Sequence, residues 1–134
     1  MEGGALERSL QGILAGRSEP LVAVYLFGSR ARGTATDRSD VDVAVLYAEA
    51  PASGLEGLGL DLEADLERAL GLPVQIVVLN TAPVDLIHRV LRDGHLLLDR
   101  DRSRRIRFEV KARNEYFDLQ PLLARYRAVR SPVR

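Results

Sequence analysis

Two short apolar segments on either side of a turn-forming stretch define the first half of the chain. Leu21–Phe27 is rich in β-forming residues and predicts a buried strand, and Val41–Tyr47 predicts a second one. Residues 28–39 between them are rich in glycine, serine and threonine. This composition is typical of a tight turn, with room for a single turn of helix, followed by a loop. The fold must therefore join two buried strands through one polar connection.

Helical periodicity and glycine or proline boundaries predict the other elements. A helix is expected over residues 4–15. After the second strand we expect, in order, a loop over 51–59, a helix near 58–70 closed by Gly71, a strand over 73–79, a helix from Pro83 to a stop at Gly94, a strand at 96–98, and a helix over 102–130 broken or kinked before Pro121.

This order, α-β-β-α-β-α-β-α, predicts an α/β (α+β) fold in which a small mixed β-sheet is flanked by helices, mainly on one face, with a helix at the C-terminal end. The 134 residues fit one domain, so we expect residues 1–134 to form a single domain whose helical basic tail begins at about residue 101.

The composition excludes several classes of function. The chain has no cysteine and only two histidines, His88 and His95, which argues against disulfides, thiolate chemistry and histidine-rich metal sites. Both histidines are expected at the surface or at a helix cap. The longest apolar run, Leu21–Phe27, is too short to cross a bilayer, and the start of the chain has no signal-peptide pattern. We therefore expect no membrane segment and a reducing, cytoplasmic location.

The charges are distributed unevenly although the net charge is zero. Residues 1–99 carry 8 Lys or Arg and 15 Asp or Glu, whereas residues 100–134 carry 11 and 4. A basic end on an acidic body predicts an electrostatic partner in the same chain or in another one, unless the basic residues simply form a solvated helix face.

The polar connection between the first two strands carries residues suited to binding an anion. Gly28 allows a sharp turn and leaves room for a bulky anion, and Ser29 offers a hydroxyl and a backbone N–H. Three arginines surround the loop and either contact such an anion or stay solvated: Arg30, Arg32 and Arg38. The alternative is an ordinary strand–turn pair that binds nothing.

Two aspartates follow at the start of the second strand. Asp40 and Asp42 are two residues apart, so their carboxylates point to one face, whereas Val41, Val43 and Val45 point to the core. Like charges side by side are costly unless a cation lies between them. Mg²⁺ accepts carboxylate and phosphate oxygens. The Asp-x-Asp spacing alone is weak evidence for a metal, but its place ten residues after a glycine-serine turn and between two strands indicates a magnesium site suited to phosphoryl transfer.

These elements together form a recognisable pattern. A glycine-serine turn, small residues and an Asp-x-Asp pair are supplied by Gly28, Ser29, Ala31, Gly33, Ser39, Asp40 and Asp42. This pattern, confined to residues 27–46, resembles the signature of the polymerase-β-type nucleotidyltransferase superfamily. The small size of the chain and the order of its elements resemble the minimal nucleotidyltransferase (MNT) branch.

The resemblance implies a fold, a reaction and a set of roles. Nucleotide and phosphate binding would fall on Gly28, Ser29, Arg30 and Ser39. Asp40 and Asp42 would be the catalytic carboxylates and hold Mg²⁺. A nucleoside triphosphate such as ATP would be the substrate, its monophosphate would pass to a hydroxyl, and pyrophosphate would be released.

One position departs from the family pattern, which has a third carboxylate on the next central strand. The matching residue is Gln75, whose amide can neither accept a proton as a base nor bring negative charge to a metal. Either the activity is weaker and the base comes from the partner or from water, or the chain retains only nucleotide or partner binding. The nearby Asp61, Glu63 and Asp65 are expected on the solvated face of the preceding helix.

The end of the chain resembles the tail of MNT antitoxins, through Arg107-Phe108-Glu109 and residues 115–123. Such antitoxins pair with HEPN-type toxins, which are helical RNases, and transfer AMP from ATP to a toxin tyrosine. The resemblance implies a HEPN toxin as the partner, in a hetero-oligomer. From the residues alone, the tail is an amphipathic basic helix whose aromatic residues are expected in the core: Phe108, Tyr116 and Phe117.

Two other functions remain open at this point. The chain could be a binding module that neutralises its partner through the arginine-rich tail without transferring anything. It could also modify a small molecule such as an aminoglycoside, although this usually needs a further substrate domain. Nucleic-acid polymerisation and direct nucleic-acid binding are disfavoured, because the chain has no net basic charge and no room for a thumb-like domain.

Overall fold

A computed structural model describes residues 3–51 and 59–130 of the chain. The helices and strands are α1 (Gly3–Ala15), β1 (Leu21–Phe27), α2 (Ser29–Arg32), β2 (Val41–Tyr47), α3 (Leu60–Leu70), β3 (Val74–Val78), α4 (Val84–Asp93), β4 (His95–Asp99) and α5 (Arg102–Arg130). The predicted element order is confirmed, and α2 is the single helical turn expected after β1. The predicted loop over 51–59 lies outside the described residues except for its two ends.

The four strands form one mixed sheet in the order β3-β2-β1-β4. Strand β1 is antiparallel to both β2 and β4, whereas β2 and β3 run parallel. Asp42 is paired with Phe27 of β1 on one side and with Gln75 of β3 on the other. The sheet therefore brings the polar connection after β1, the start of β2 and the start of β3 to the same end.

Helices cover both faces of the sheet, so the expectation that they lie mainly on one face is wrong. One core contains the buried faces of α1 and α3 with Val41, Val43 and Val45. The other contains residues of α4 and α5 with Ala44 and Leu46. The physical reason is that β1 and β2 are buried almost without interruption. Strands that are apolar on both faces need cover on both faces.

A polar cluster attaches the start of α5 to the sheet. The Tyr25 hydroxyl of β1 donates a hydrogen bond of 2.6 Å to Glu109 Oε2. Arg105 donates to the same carboxylate at 3.0 Å and to Asp99 of β4 at 2.9 Å. Burial, followed by the contact with Glu109, raises the pKa of Tyr25 well above its usual range, so the phenol stays a donor. Phe108 and Ala112 pack beside this cluster.

The remainder of α5 differs from the sequence expectation at two positions. The helix continues through Pro121 without the predicted break. Both Pro121 and Phe117, the residue four positions earlier, are exposed, so water can replace the hydrogen bond that proline cannot donate. Phe117 is 60% exposed and not in the core as expected. Tyr116 is half-buried and stacks on His88 of α4 with ring centroids 3.6 Å apart.

Backbone N–H groups of the edge strand β3 donate hydrogen bonds to side chains of α3. Glu63 Oε1 accepts the N–H of Ile76 and Glu67 Oε2 accepts the N–H of Val74, each at 3.0 Å. These carboxylates satisfy donors that an edge strand otherwise leaves to solvent or to another chain. The expected solvated face is confirmed for Asp61, which is exposed, but is wrong for Glu63 and for Asp65, which pairs with Arg17. None of the helices in the described ranges combines the length and apolarity needed to cross a membrane.

Candidate functional site

The two aspartates of the motif stand at the start of β2, on the face covered by α4. Asp42 is half-buried between its neighbours on β1 and β3, and Asp40 is exposed just before the strand. Burial raises the pKa of Asp42 above its ordinary value, the charge of Asp40 raises it further, and Arg32 lowers it in part. The two carboxylates therefore lie close enough to repel each other.

Neither aspartate has an ion-pair partner among residues 3–51 and 59–130. Two adjacent carboxylates without a compensating cation are unfavourable, and a bound divalent cation would remove the repulsion. Within the part of the chain that the structure describes, no group of three or more His, Cys, Asp or Glu side chains could hold a metal. Asp40 and Asp42 would therefore need oxygen ligands from a substrate or water.

Gly28 is required where β1 ends, for two reasons. Its φ of 74° lies in the left-handed region that favours glycine. A Cβ at this position would overlap the carboxylate of Asp42 and lie 3.0 Å from its Cγ. The Gly28 carbonyl accepts the N–H groups of Ala31 and Arg32 at 3.1 Å, which begins α2. Among the described residues, no group accepts the N–H of Ser29 or Arg30.

Arg30 and Ser39, both predicted to bind phosphates, hold the loop between α2 and β2. Arg30 donates from Nη2 to the carbonyl of Ser39 at 2.9 Å and from Nε at 3.2 Å. The Ser39 hydroxyl accepts the N–H of Thr36 at 2.9 Å. These bonds fix the chain just before Asp40. A phosphate contact by either side chain stays a prediction.

A cleft of about 320 Å³ lies beside Asp42. Its lining combines the ends of the sheet strands with one side of α4 and comprises Phe27, Gly28, Arg32, Asp42, Gln75, Val77, Leu86, Arg89, Arg92 and Asp93. Gln75 is exposed in this cleft and is Asp42's partner in the parallel register, so the position expected for a third carboxylate carries an amide. The cleft therefore places Asp42 among arginine side chains but offers no carboxylate base at position 75.

Sequence reasoning missed the contribution of α4 to this cleft. Leu86, Arg89 and Asp93 recur at i, i+3 and i+7, which indicates that they share a helix face. That spacing gives no information on whether the face meets the core, solvent or a site. Arg92 Nη2 pairs with Asp93 Oδ2 at 2.9 Å, which lowers the pKa of Asp93 below its ordinary value.

Comparison with known proteins agrees with the motif and with the fold. Residues 9–103 match the family described as polymerase beta nucleotidyltransferase. The chain is 31% identical over 115 residues to the protein adenylyltransferase MntA of Shewanella oneidensis, which covers 85% of this chain and 79% of that protein.

Solved structures extend the similarity to almost the whole chain. A crystal structure described as a toxin-antitoxin with AMP-PNP contains a chain 29% identical to this one, with a TM-score of 0.77 over 93% of this chain and 98% of that one. A structure of a tri-AMPylated Shewanella oneidensis HEPN toxin with its MNT antitoxin matches at 26% identity and a TM-score of 0.73, over 96% and 99% of the two chains.

The contact between Gly28 and Asp42 can be tested with a matched pair of substitutions. Gly28→Ala and Gly33→Ala both place alanine at a positive φ. In urea denaturation Gly33→Ala should cost about 1–2 kcal/mol, because Gly33 is in the left-handed helical region. Gly28→Ala should cost more, because its ψ of −158° with a positive φ is nearly restricted to glycine. Nothing lies within 4 Å of a Cβ at position 33, whereas at position 28 the Asp42 carboxylate must move away. Only Gly28→Ala should therefore lower the Asp42 pKa toward its ordinary value in an NMR titration. Identical titrations in the two variants would contradict this account.

The raised pKa of Asp42 predicts a stability gain when its charge is removed. A carboxyl whose pKa is higher in the folded state stabilises the fold below its unfolded pKa, and this contribution is lost as the pH rises through the folded pKa. Asp42→Asn should therefore raise the thermal midpoint at neutral pH, and the gain should shrink toward pH 4. Asp37→Asn, in the exposed loop that precedes β2, serves as the control. A lower midpoint for Asp42→Asn at neutral pH would refute the argument.

Proposed function

The chain belongs to the polymerase beta nucleotidyltransferase family, and we propose that it transfers AMP from ATP to a hydroxyl of a HEPN-type toxin and so acts as the antitoxin. The observation that carries this proposal is the contact of the Asp42 side chain with Gly28 in the cleft. The carboxylate of Asp40 is close enough to raise the pKa of Asp42. The similar protein adenylyltransferase, and the MNT antitoxin seen with a tri-AMPylated HEPN toxin, support the same reaction and the same kind of partner.

The nucleotide binds through its triphosphate at the turn after β1. The N–H groups of Ser29 and Arg30, which have no acceptor among the described residues, donate to phosphate oxygens, and the Ser29 hydroxyl adds a further donor. Arg32 lines the cleft on this side and supplies positive charge. The similarity to a structure described with AMP-PNP supports nucleotide binding by a chain of this fold.

Asp40 and Asp42 fit a bound Mg²⁺ ion. They are two adjacent carboxylates without a cationic partner in the described chain, which are the oxygen ligands that this ion takes together with phosphate oxygens and water. When bound, Mg²⁺ neutralises charge on the triphosphate and keeps its phosphates in position. The carboxylates contribute by holding that charge at the start of β2, next to the turn that binds the triphosphate.

The transfer is a displacement at the α-phosphorus of ATP. The oxygen of the acceptor hydroxyl forms a bond to that phosphorus, and the bond from the phosphorus to the oxygen that bridges to the β-phosphate breaks. Pyrophosphate leaves with the electron pair of the broken bond. The hydroxyl proton passes to water, because the Gln75 amide cannot accept it. Most of the rate acceleration then comes from positioning and charge neutralisation.

The absence of a base at position 75 favours a tyrosine as the acceptor. A phenol has a pKa of about 10, far below that of an aliphatic hydroxyl, so it gives up its proton to water more readily as the new bond forms. The apolar side chains of Phe27, Val77 and Leu86 in the cleft suit an aromatic ring. This supports a tyrosine side chain of the toxin over serine or threonine.

The partner docks as a second protein in a hetero-oligomer. Exposed apolar residues on α5, Ile106, Val110 and Phe117, stand among the basic residues of the tail and offer a surface for it. The whole chain, residues 1–134, acts as a single minimal nucleotidyltransferase domain. ATP and an RNase partner are found inside cells, and with the absence of cysteine they support a cytoplasmic location.

Gln75 also supports a second candidate function. If the lack of a carboxylate at position 75 abolishes AMP transfer, the chain neutralises its partner by binding alone. The two functions differ in a directly measurable property, the mass of the partner.

The test is intact-mass spectrometry of a HEPN-type protein co-expressed with this chain. The wild-type chain should add one or more AMP units. Asp40→Asn or Asp42→Asn should lower the transfer rate at least about 100-fold, because the lost charge stabilises the transition state by several kcal/mol. Asp37→Asn, an aspartate of the same loop, should transfer AMP at the wild-type rate.

A tight complex with an unmodified partner would instead establish the binding function. Transfer that survives in both the Asp40→Asn and the Asp42→Asn variants would remove the proposed roles of the two carboxylates.

A further inference from the structure

One arginine of the cleft has no role in the site as described so far. Arg89 lies on the α4 side of the cleft, one turn after Leu86. It is exposed and, as far as the structure describes the chain, makes no hydrogen bond or ion pair. The other arginines of the cleft differ, because Arg92 is paired with Asp93 and Arg32 is assigned to the triphosphate in the proposed function. Arg89 is therefore a cation of the cleft whose donors remain available to a ligand.

The order of the strands in the sheet determines which of the two substrates lies at which end of the cleft. Gly28 follows β1, Asp42 is on β2 and Gln75 is on β3, in the order β3-β2-β1. Neighbouring strands are about 4.8 Å apart, so Gly28 and Gln75 stand on opposite sides of Asp42, about 10 Å from each other. The leaving pyrophosphate and the attacking hydroxyl must lie on opposite sides of the phosphorus. If the triphosphate is at Gly28, the acceptor enters beside Gln75, which lines the same cleft as Arg89.

We propose that Arg89 binds an anionic group next to the acceptor hydroxyl and so selects the acceptor. The proposal rests on the proposed function. A guanidinium binds carboxylate and phosphate oxygens through two parallel hydrogen bonds, which holds the group at a defined position and orientation. Leu86 and Val77, which line the same cleft, provide the apolar contact for the rest of the acceptor.

Two sources could supply this anion. One is the carboxylate of an acidic side chain beside the acceptor hydroxyl of the partner. The other is the phosphate of an AMP unit added in an earlier round, and the toxin in the similar complex is described as tri-AMPylated. Both present negatively charged oxygens to Arg89, but only the second is absent when the first AMP is added.

The proposal is tested on the 134-residue chain with a co-expressed HEPN-type protein, by following each AMP addition through intact mass. Arg89→Ala should lower the second-order rate constant for the acceptor about 10- to 100-fold, the effect of losing a hydrogen-bonded charge. The affinity for AMP-PNP with Mg²⁺, measured by calorimetry, should stay within about twofold. Arg89→Lys should recover part of the rate, because it keeps the charge but not the paired donors.

Arg8→Ala is the matched control, because Arg8 is an exposed arginine of α1, on the opposite face of the sheet. It should leave every rate unchanged. If the first AMP addition is lost in Arg89→Ala, the result supports a carboxylate of the partner as the ligand. If the first addition is kept and the later ones are lost, the result supports the phosphate of an attached AMP.

Wild-type rates for every addition in Arg89→Ala would overturn the proposal, and so would a loss of AMP-PNP affinity, which would assign Arg89 to the nucleotide. A wild-type chain that adds no AMP refutes the proposed function and removes the premise of this inference. A failure of Arg89→Ala alone leaves the proposed function intact.

Discussion

The site depends on the contact between the Asp42 carboxylate and the backbone of Gly28. This contact leaves no space for a Cβ at position 28, and it keeps a half-buried negative charge next to that of Asp40. Such an arrangement is unfavourable for the isolated chain, as the raised pKa of Asp42 indicates. Under the proposed function, a bound cation and polyphosphate would make this arrangement favourable, and the free protein would then have lower stability in exchange for a preformed binding site.

The surrounding structure keeps this arrangement in place. The parallel pairing of β2 and β3 aligns Asp42 with Gln75, and Arg30 fixes the loop that leads to Asp40. Helix α4 completes the cleft, and α5 covers α4 and the same face of the sheet. Tyr25 and Glu109 connect α5 to β1 by a short hydrogen bond, so the helix with the exposed basic and apolar surface is attached to the strand that ends at Gly28.

The sequence was sufficient to predict the elements and the motif, because both are local properties. Apolar runs, helical spacing and glycine stops predicted the strands and helices. The Gly-Ser turn and the Asp-x-Asp pair predicted residues that the structure brings together, since Gly28 lies against Asp42. The position of α4 and α5 was not predictable in this way. A strand buried on both faces has the same local pattern whichever helices cover it, so the two-sided core was missed. Arg89 and Asp93 were missed because their role depends on how α4 crosses the sheet. The exposure of Phe117 similarly depends on how far α5 extends along the body.

The central claim is that Asp40 and Asp42, next to Gly28, form a magnesium-dependent nucleotide site. Titration calorimetry with AMP-PNP, with and without Mg²⁺, tests it most directly on the wild-type chain and on the double variant Asp40→Asn/Asp42→Asn. The account predicts binding that requires Mg²⁺ in the wild type and that falls at least about 100-fold in the double variant. Binding that is equally tight without Mg²⁺, or that survives in the double variant, would contradict it.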